Sequence, residues 1–248
     1  MVPRRSRLAA PPLLRSGAAA IPHRHVPPDA RAAFVTAAGS LTSQAIGRRL
    51  ARDGACVAFA DADRDAACAV AEAIRADGGE AAGFGMNARD WSSTQRAVRQ
   101  ARDRWGRLDL LVNLVDDSPA APFLALSEDD LTESFDAALA GLMHGVRAAT
   151  EQLREADAGC IVNVFPLGRD DNVLGGAMAG AAEMLTRAAG VELAPLGIRV
   201  AGIAAVSVRD DPAAIADAVA FLASSDASYV TGSTLVIAER HTQQWIAR

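Results

Sequence analysis

Short apolar runs recur along this chain, and between them lie longer stretches whose apolar residues return every third or fourth position. The runs Ala33–Thr36, Cys56–Ala60, Ala81–Gly85, Leu110–Val115, Cys160–Phe165, Ile198–Ile203 and Thr234–Ala238 read as strands. The stretches Ser43–Asp53, Arg64–Ala76, Ser92–Trp105, Asp130–Glu155, Ala177–Leu193 and Pro212–Ser224 read as helices. Ser127 and Asp130 have the spacing of an N-cap and its answering acid, and they open the long fourth helix. Strands that are apolar on both faces cannot show one face to water, so helices must cover the sheet on both sides. Right-handed crossovers then give an α/β fold, a single doubly wound parallel sheet of about seven strands. No internal repeat and no second domain breaks the alternation.

Length and composition agree with that reading. The 248 residues suit one α/β domain, and 50% hydrophobic against 4% aromatic content means a core of Ala, Val, Leu and Ile. The first 31 residues differ: Arg4, Arg5, Arg7, Arg15, Arg24 and Arg31, many prolines and one acid, Asp29. Such a segment buries too little to order itself, so residues 1–31 are expected to be a disordered arm and 32–248 the folded domain. The same composition resembles an organelle transit peptide or an over-extended gene start. His23 and His25 in a loose arm make no metal site, and no metal is expected.

The formal charge of -5, with no basic cluster outside the arm, gives no case for nucleic acid. No apolar stretch reaches the roughly 18 residues of a membrane span. Cys56, Cys68 and Cys160 lie far apart with no CxxC spacing, as buried reduced thiols of a cytoplasmic protein would. Two absences carry more. The chain has no lysine, and its one tyrosine is Tyr229. GC-rich coding is one account of the missing lysine, but it would not excuse the loss of a catalytic one. Arginine is no substitute as a proton-relay group, because its guanidinium stays protonated.

Five phrases in order carry a resemblance. They are Asp53-Gly54-Ala55-Cys56-Val57, Arg107-Leu108-Asp109-Leu110-Leu111-Val112-Asn113, Ile161-Val162-Asn163-Val164, the run from Glu192 to Val200, and Ser228-Tyr229-Val230-Thr231-Gly232. From about Ala32 to Glu239 the chain resembles the short-chain dehydrogenase/reductase superfamily, in the branch of the 3-oxoacyl-carrier-protein reductases. That resemblance implies a Rossmann-like sheet, a nicotinamide dinucleotide and a tyrosine–lysine proton relay.

The family positions are altered one by one. The phosphate loop TGxxxGxG appears as Thr36-Ala37-Ala38-Gly39-Ser40-Leu41-Thr42-Ser43, with Ala37, Leu41 and Ser43 at the glycine positions. Leu41 puts a branched side chain where a phosphate should lie. Asp61 matches the acid that holds the adenosine ribose in NAD-preferring members, although an aspartate at a strand end is more often a solvated loop residue. Asn87 stands at an adenine-contacting position, and of NNAG only Asn113 is kept in Asn113-Leu114-Val115-Asp116. The tyrosine and lysine positions hold Gly175 and Ala179, the serine position Pro166 and the asparagine position Ala138. Ala204 to Asp211 leads almost directly to Pro212, where the family has a helical lid. Asp116, Asp117, Ser118, Arg169, Asp170 and Asp171 are polar strand-end residues that read as solvated loop charges or a ligand cluster. His144 reads as a helix-surface histidine and Tyr229 as a packing residue near a subunit interface.

No intact catalytic or cofactor-binding set is expected, and no cofactor, with NAD(P) entering only if the degenerate loop still binds. The helices at 130–155 and 177–193 and the 212–238 region form subunit interfaces in the family. A vacant site beside surviving interfaces implies a catalytically inactive subunit that pairs with an active short-chain dehydrogenase paralogue, or with itself. The alternatives are a ligand-sensing Rossmann protein and an oxidoreductase with a rebuilt site.

Overall fold

The structure is a computed structural model, and it describes residues 30–115, 122–156, 158–167, 173–205 and 211–238. Seven strands form one parallel sheet: β1 (Ala32–Thr36), β2 (Cys56–Asp61), β3 (Glu80–Gly85), β4 (Leu110–Leu114), β5 (Gly159–Pro166), β6 (Ile198–Ala205) and β7 (Thr234–Ile237). Their order is β3-β2-β1-β4-β5-β6-β7. Every residue of β1 and β4 is buried, which is why these segments read as unbroken apolar runs.

Seven helices cover the sheet: α1 (Leu41–Arg52), α2 (Arg64–Ala76), α3 (Trp91–Trp105), α4 (Glu128–Phe135), α5 (Gly141–Leu153), α6 (Val173–Leu193) and α7 (Pro212–Ala223). On one face α1, α2 and α7 pack through Ile46, Leu50, Val70, Ile74, Ile215 and Val219 onto Val35, Val57 and Phe59. On the other, α3 and α5 pack through Val98, Ala149 and Leu153 onto Phe34 and Leu111. Each buried Phe, Leu or Ile adds about 1.5–3 kcal/mol.

Polar residues set where the helices start. Ser40, Asp63, Asp90, Ser127 and Asp211 each accept a backbone N–H of the following first turn. Such a cap is worth about 1 kcal/mol. Ser127 and Asp130 form the reciprocal capping box their spacing predicts. Left-handed Gly106 and Gly197 end α3 and the turn after α6.

Two elements differ from the sequence reading. The long helix expected over 130–155 is broken by a π-helical turn at Asp136–Ala140 that separates α4 from α5. The helix expected from Ala177 begins at Val173, because buried Leu174 anchors a first turn that Gly175 and Gly176 alone would weaken. Most of the expected arm lies outside the described residues. Arg31, its last residue, belongs to the fold: its carbonyl accepts the Cys56 N–H and its guanidinium donates to the Ala223 carbonyl.

The strand order reverses direction between β1 and β4. In open parallel sheets, the crevice outside the carboxyl ends of the strands at such a reversal is where ligands bind.

Candidate functional site

One end of the crevice is built by β1, α1 and β2. The chain leaves β1 at Thr36 and turns at Ala37, whose φ of 55° makes it the one non-glycine left-handed residue among those described. That conformation costs an L-residue roughly 1–2 kcal/mol. The turn is held by the Ser40 N–H on the Ala37 carbonyl at 2.9 Å and by the Ala38 N–H on the Ala60 carbonyl at 3.3 Å. Ser43 is fully buried and donates its hydroxyl to the Thr36 carbonyl at 2.7 Å, so it fits the close approach of α1 to β1. Leu41 is the first residue of α1 and is 70% exposed.

Asp61 ends β2 beside that turn. One carboxylate oxygen accepts the Gly39 N–H at 2.9 Å and the other accepts the Asp63 N–H at 3.0 Å. The Asp61 carbonyl accepts the Met86 N–H at 2.7 Å and so ties down the loop leaving β3. Asp61 is thereby a fixed acceptor joined to the turn, not a loose loop charge.

Asn113 lies beneath, buried at the end of β4. Its amide donates to Asn163 Oδ1 at 3.1 Å, Asn163 donates to Thr186 Oγ1 at 3.0 Å, and Thr186 donates to the Ala182 carbonyl at 2.8 Å. This buried chain joins β4, β5 and α6. Gly145 of α5 leaves room for it, since a Cβ there would strike the Asn113 amide. A cavity of 30 Å³, about the size of one water, lies among Thr36, Met86, Ala88, Thr94, Asn113 and Gly145.

The other end, between β5, α6 and the π turn, is apolar. Ala138 sits in the π turn and is 2% exposed. Pro166 ends β5, Gly175 lies in the first turn of α6, and Ala179 one turn on. Val115, Ala138, Leu142, Phe165, Ala182 and Ala204 form one buried cluster, with Leu167, Met178 and Leu185 packed on it. None of these side chains can hold or move a proton. Asp116, Asp117, Ser118, Arg169, Asp170 and Asp171 lie outside the described residues.

Sequence reasoning missed the apolar cluster, the amide chain and the π turn. The signal for the first was present in the apolar identities of Val115, Leu142, Phe165, Leu167 and Met178. His144 is corrected too: it is half-buried, and its Nδ1–H donates to the Ala88 carbonyl at 2.9 Å. Tyr229 is 98% exposed and is not packed among the described residues. Cys56 and Cys160 are buried free thiols. Burial, aided by the Glu80 carboxylate, pushes Cys56 up to about 11, and burial raises Cys160. No described helix is long and apolar enough to cross a membrane.

The short chain dehydrogenase family matches residues 31–214, and the chain belongs to it. It is 29% identical over 232 residues to the (2S)-[(R)-hydroxy(phenyl)methyl]succinyl-CoA dehydrogenase subunit BbsC of Thauera aromatica, covering 84% of this chain and 92% of that protein. It is also 29% identical over 218 residues to a cyclopentanol dehydrogenase of a Comamonas species, covering 76% and 87% respectively. A short chain dehydrogenase structure from Mycobacterium smegmatis superposes with a TM-score of 0.79 at 23% identity, over 85% of this chain and 92% of that one, which is a likeness of fold.

These findings correct the function expected from the sequence. The relatives are named as dehydrogenases and reductases, and nothing among them supports an inactive subunit that serves an active paralogue. The vacancy expected at four family positions concerns four side chains, and it does not by itself remove the activity class.

Proposed function

We propose that the chain is an oxidoreductase that holds a nicotinamide dinucleotide in the crevice at the ends of β1 and β2. In this reading the proton is exchanged with water and not with a tyrosine. The observation that carries it is the strained left-handed turn at Ala37, a position the sequence reading assigns to a glycine of the phosphate loop. Strain of this kind endures where the surrounding structure needs the shape.

The residues fit the adenosine end of such a cofactor. Asp61 offers an acceptor for ribose hydroxyls, and the turn brings the start of α1, with its outward N–H groups, against phosphate. Leu41 narrows the phosphate passage, but as an exposed side chain it is free to lie aside. When bound, the dinucleotide supplies or takes the hydride. The chain's own residues orient it, and the apolar Phe165, Leu167 and Met178 border the reacting end without supplying a proton. Only residues 206–211 join β6 to α7, too few for a helical lid over the site. A positioned general acid is worth about 10²–10⁴-fold, so turnover should lag by that factor behind a relative with the tyrosine–lysine pair. The test uses the purified chain alone with NADH and a panel of cyclic and acyl ketones. Slow stoichiometric hydride transfer supports the reading; no dinucleotide binding and no transfer ends it.

We also propose self-association through the face of α4, α5 and α6. Leu131, Phe135, Met143, Met184 and Val191 are all exposed there, an apolar surface that a lone chain would leave in water. Light scattering should find a dimer or larger, and Met184→Glu should shift it toward monomer; a monomeric parent chain refutes this. The buried free thiols fit a reducing compartment such as the cytoplasm.

A further inference from the structure

We infer that His144 is a positioning residue for the nucleotide crevice, a latch that fixes the loop of residues 86–90 across the ends of β1 and β4. This rests on the proposed nucleotide reading for its effect on binding, and on geometry alone for the latch itself.

The loop leaves β3 at the outer edge of the sheet and must reach α3 on the face shared with α5. At its start the Met86 N–H is held by the carbonyl of Asp61, the ribose acceptor. In its middle, Ala88 comes to the cavity that Thr36, Leu114 and Val115 line at the ends of β1 and β4. The Ala88 carbonyl is then taken by His144 Nδ1–H at 2.9 Å from α5. A carbonyl only accepts, so this bond requires the proton on Nδ1.

Three further contacts clasp the loop and the start of α3. Trp91, the first residue of α3, lies 6.0 Å from the His144 ring, and the Arg147 guanidinium stands 4.2 Å over the Trp91 ring. Arg89 pairs with Glu133 of α4 at 3.2 Å. The contacts of Arg147 and Arg89 involve exposed charges and are screened by solvent. The His144 bond is the half-buried one, and it alone grips loop backbone from α5. Gly141, one turn before His144, stands with its would-be Cβ 3.5 Å from the Ala88 methyl, which is how closely α5 and the loop meet. Loosening the grip therefore frees the segment that adjoins both Asp61 and the cavity.

The geometry separates the bond from the ring. His144→Phe keeps an aromatic ring against Trp91 and deletes the donor. His144→Asn deletes the ring and keeps a donor at the same chain position as Nδ1. Two readouts apply: hydrogen exchange of the peptide spanning residues 86–94 in the free protein, and calorimetric affinity for ADP-ribose. The expectation is at least fivefold faster exchange and about fivefold weaker binding for His144→Phe, the size of one hydrogen bond. His144→Asn should restore both toward the parent. Equal loss in both variants, or no change in exchange with Phe, overturns the latch. If the parent binds no ADP-ribose, the nucleotide reading falls, and the exchange comparison still decides the latch.

Discussion

The two ends of the crevice are built from different materials. At the β1–β2 end, Ala37, Leu41 and Ser43 stand where the sequence reading puts glycines, and the turn at Ala37, the seat of Ser43 and the bond from Gly39 to Asp61 hold the backbone. At the β5–α6 end, the positions read as the catalytic set hold Ala138, Pro166, Gly175 and Ala179, and Ala138 lies in an apolar cluster. One end conserves a shape made of backbone, which tolerates new side chains at a cost in strain. The other offers only apolar side chains, so any chemistry there would have to be restored group by group. A backbone-built site degrades gradually; a site built from titratable side chains loses its chemistry with the side chains.

Experiments can break that comparison, beginning where the effect is largest. The combined variant Pro166→Ser, Gly175→Tyr and Ala179→Lys should raise ketone reduction by about 10²-fold or more, since a positioned acid contributes about 10²–10⁴. No increase, with the fold intact by circular dichroism, would mean that the apolar end lacks more than its groups. At the other end, Leu41→Gly should tighten dinucleotide binding about tenfold, or ~1.4 kcal/mol by calorimetry. Unchanged affinity would show that the Leu41 side chain does not obstruct. A smaller effect is expected from Ala37→Gly, which removes the left-handed penalty and should stabilise the protein by about 1 kcal/mol in urea unfolding. Destabilisation would mean that the turn is not strained.

The smallest effect concerns both ends together. Ser92 hydrogen bonds hold Asp90 below its ordinary 3.8, and Ser127 hydrogen bonds do the same for Asp130. A lowered folded-state value means the stabilisation is complete above 3.8 and is lost as pH falls through the lowered values. The starts of α3 and α4 should therefore fray together below pH 3.8, seen as faster amide exchange. Fraying of one start alone would separate the ends.

The fold was legible because its signals are local. The apolar runs of β1 and β4 and the caps Ser127 and Asp130 each announce themselves within a few residues. The site positions were read from phrases such as Leu110–Asn113, and the structure puts Ala37 and Ser43 at the turn into α1 and Asp61 at the end of β2. What neighbours do to one another was not. Whether Asp61 is solvated or bonded depends on Gly39, which is near in the chain only after β2 returns. His144 looked like a surface residue because Ala88 lies 56 positions away. The inactive-subunit reading failed for a related reason: it took absent side chains as the whole of a function.

The amide chain from Asn113 through Asn163 to Thr186 has a further consequence. None of its three members titrates in the range where proteins fold. A carboxylate–guanidinium link at that depth would carry an acid limit, and an imidazole link a neutral one. This junction of β4, β5 and α6 has no proton to lose, so acidity can unfasten the helix starts at the surface while the seam beneath them stays closed.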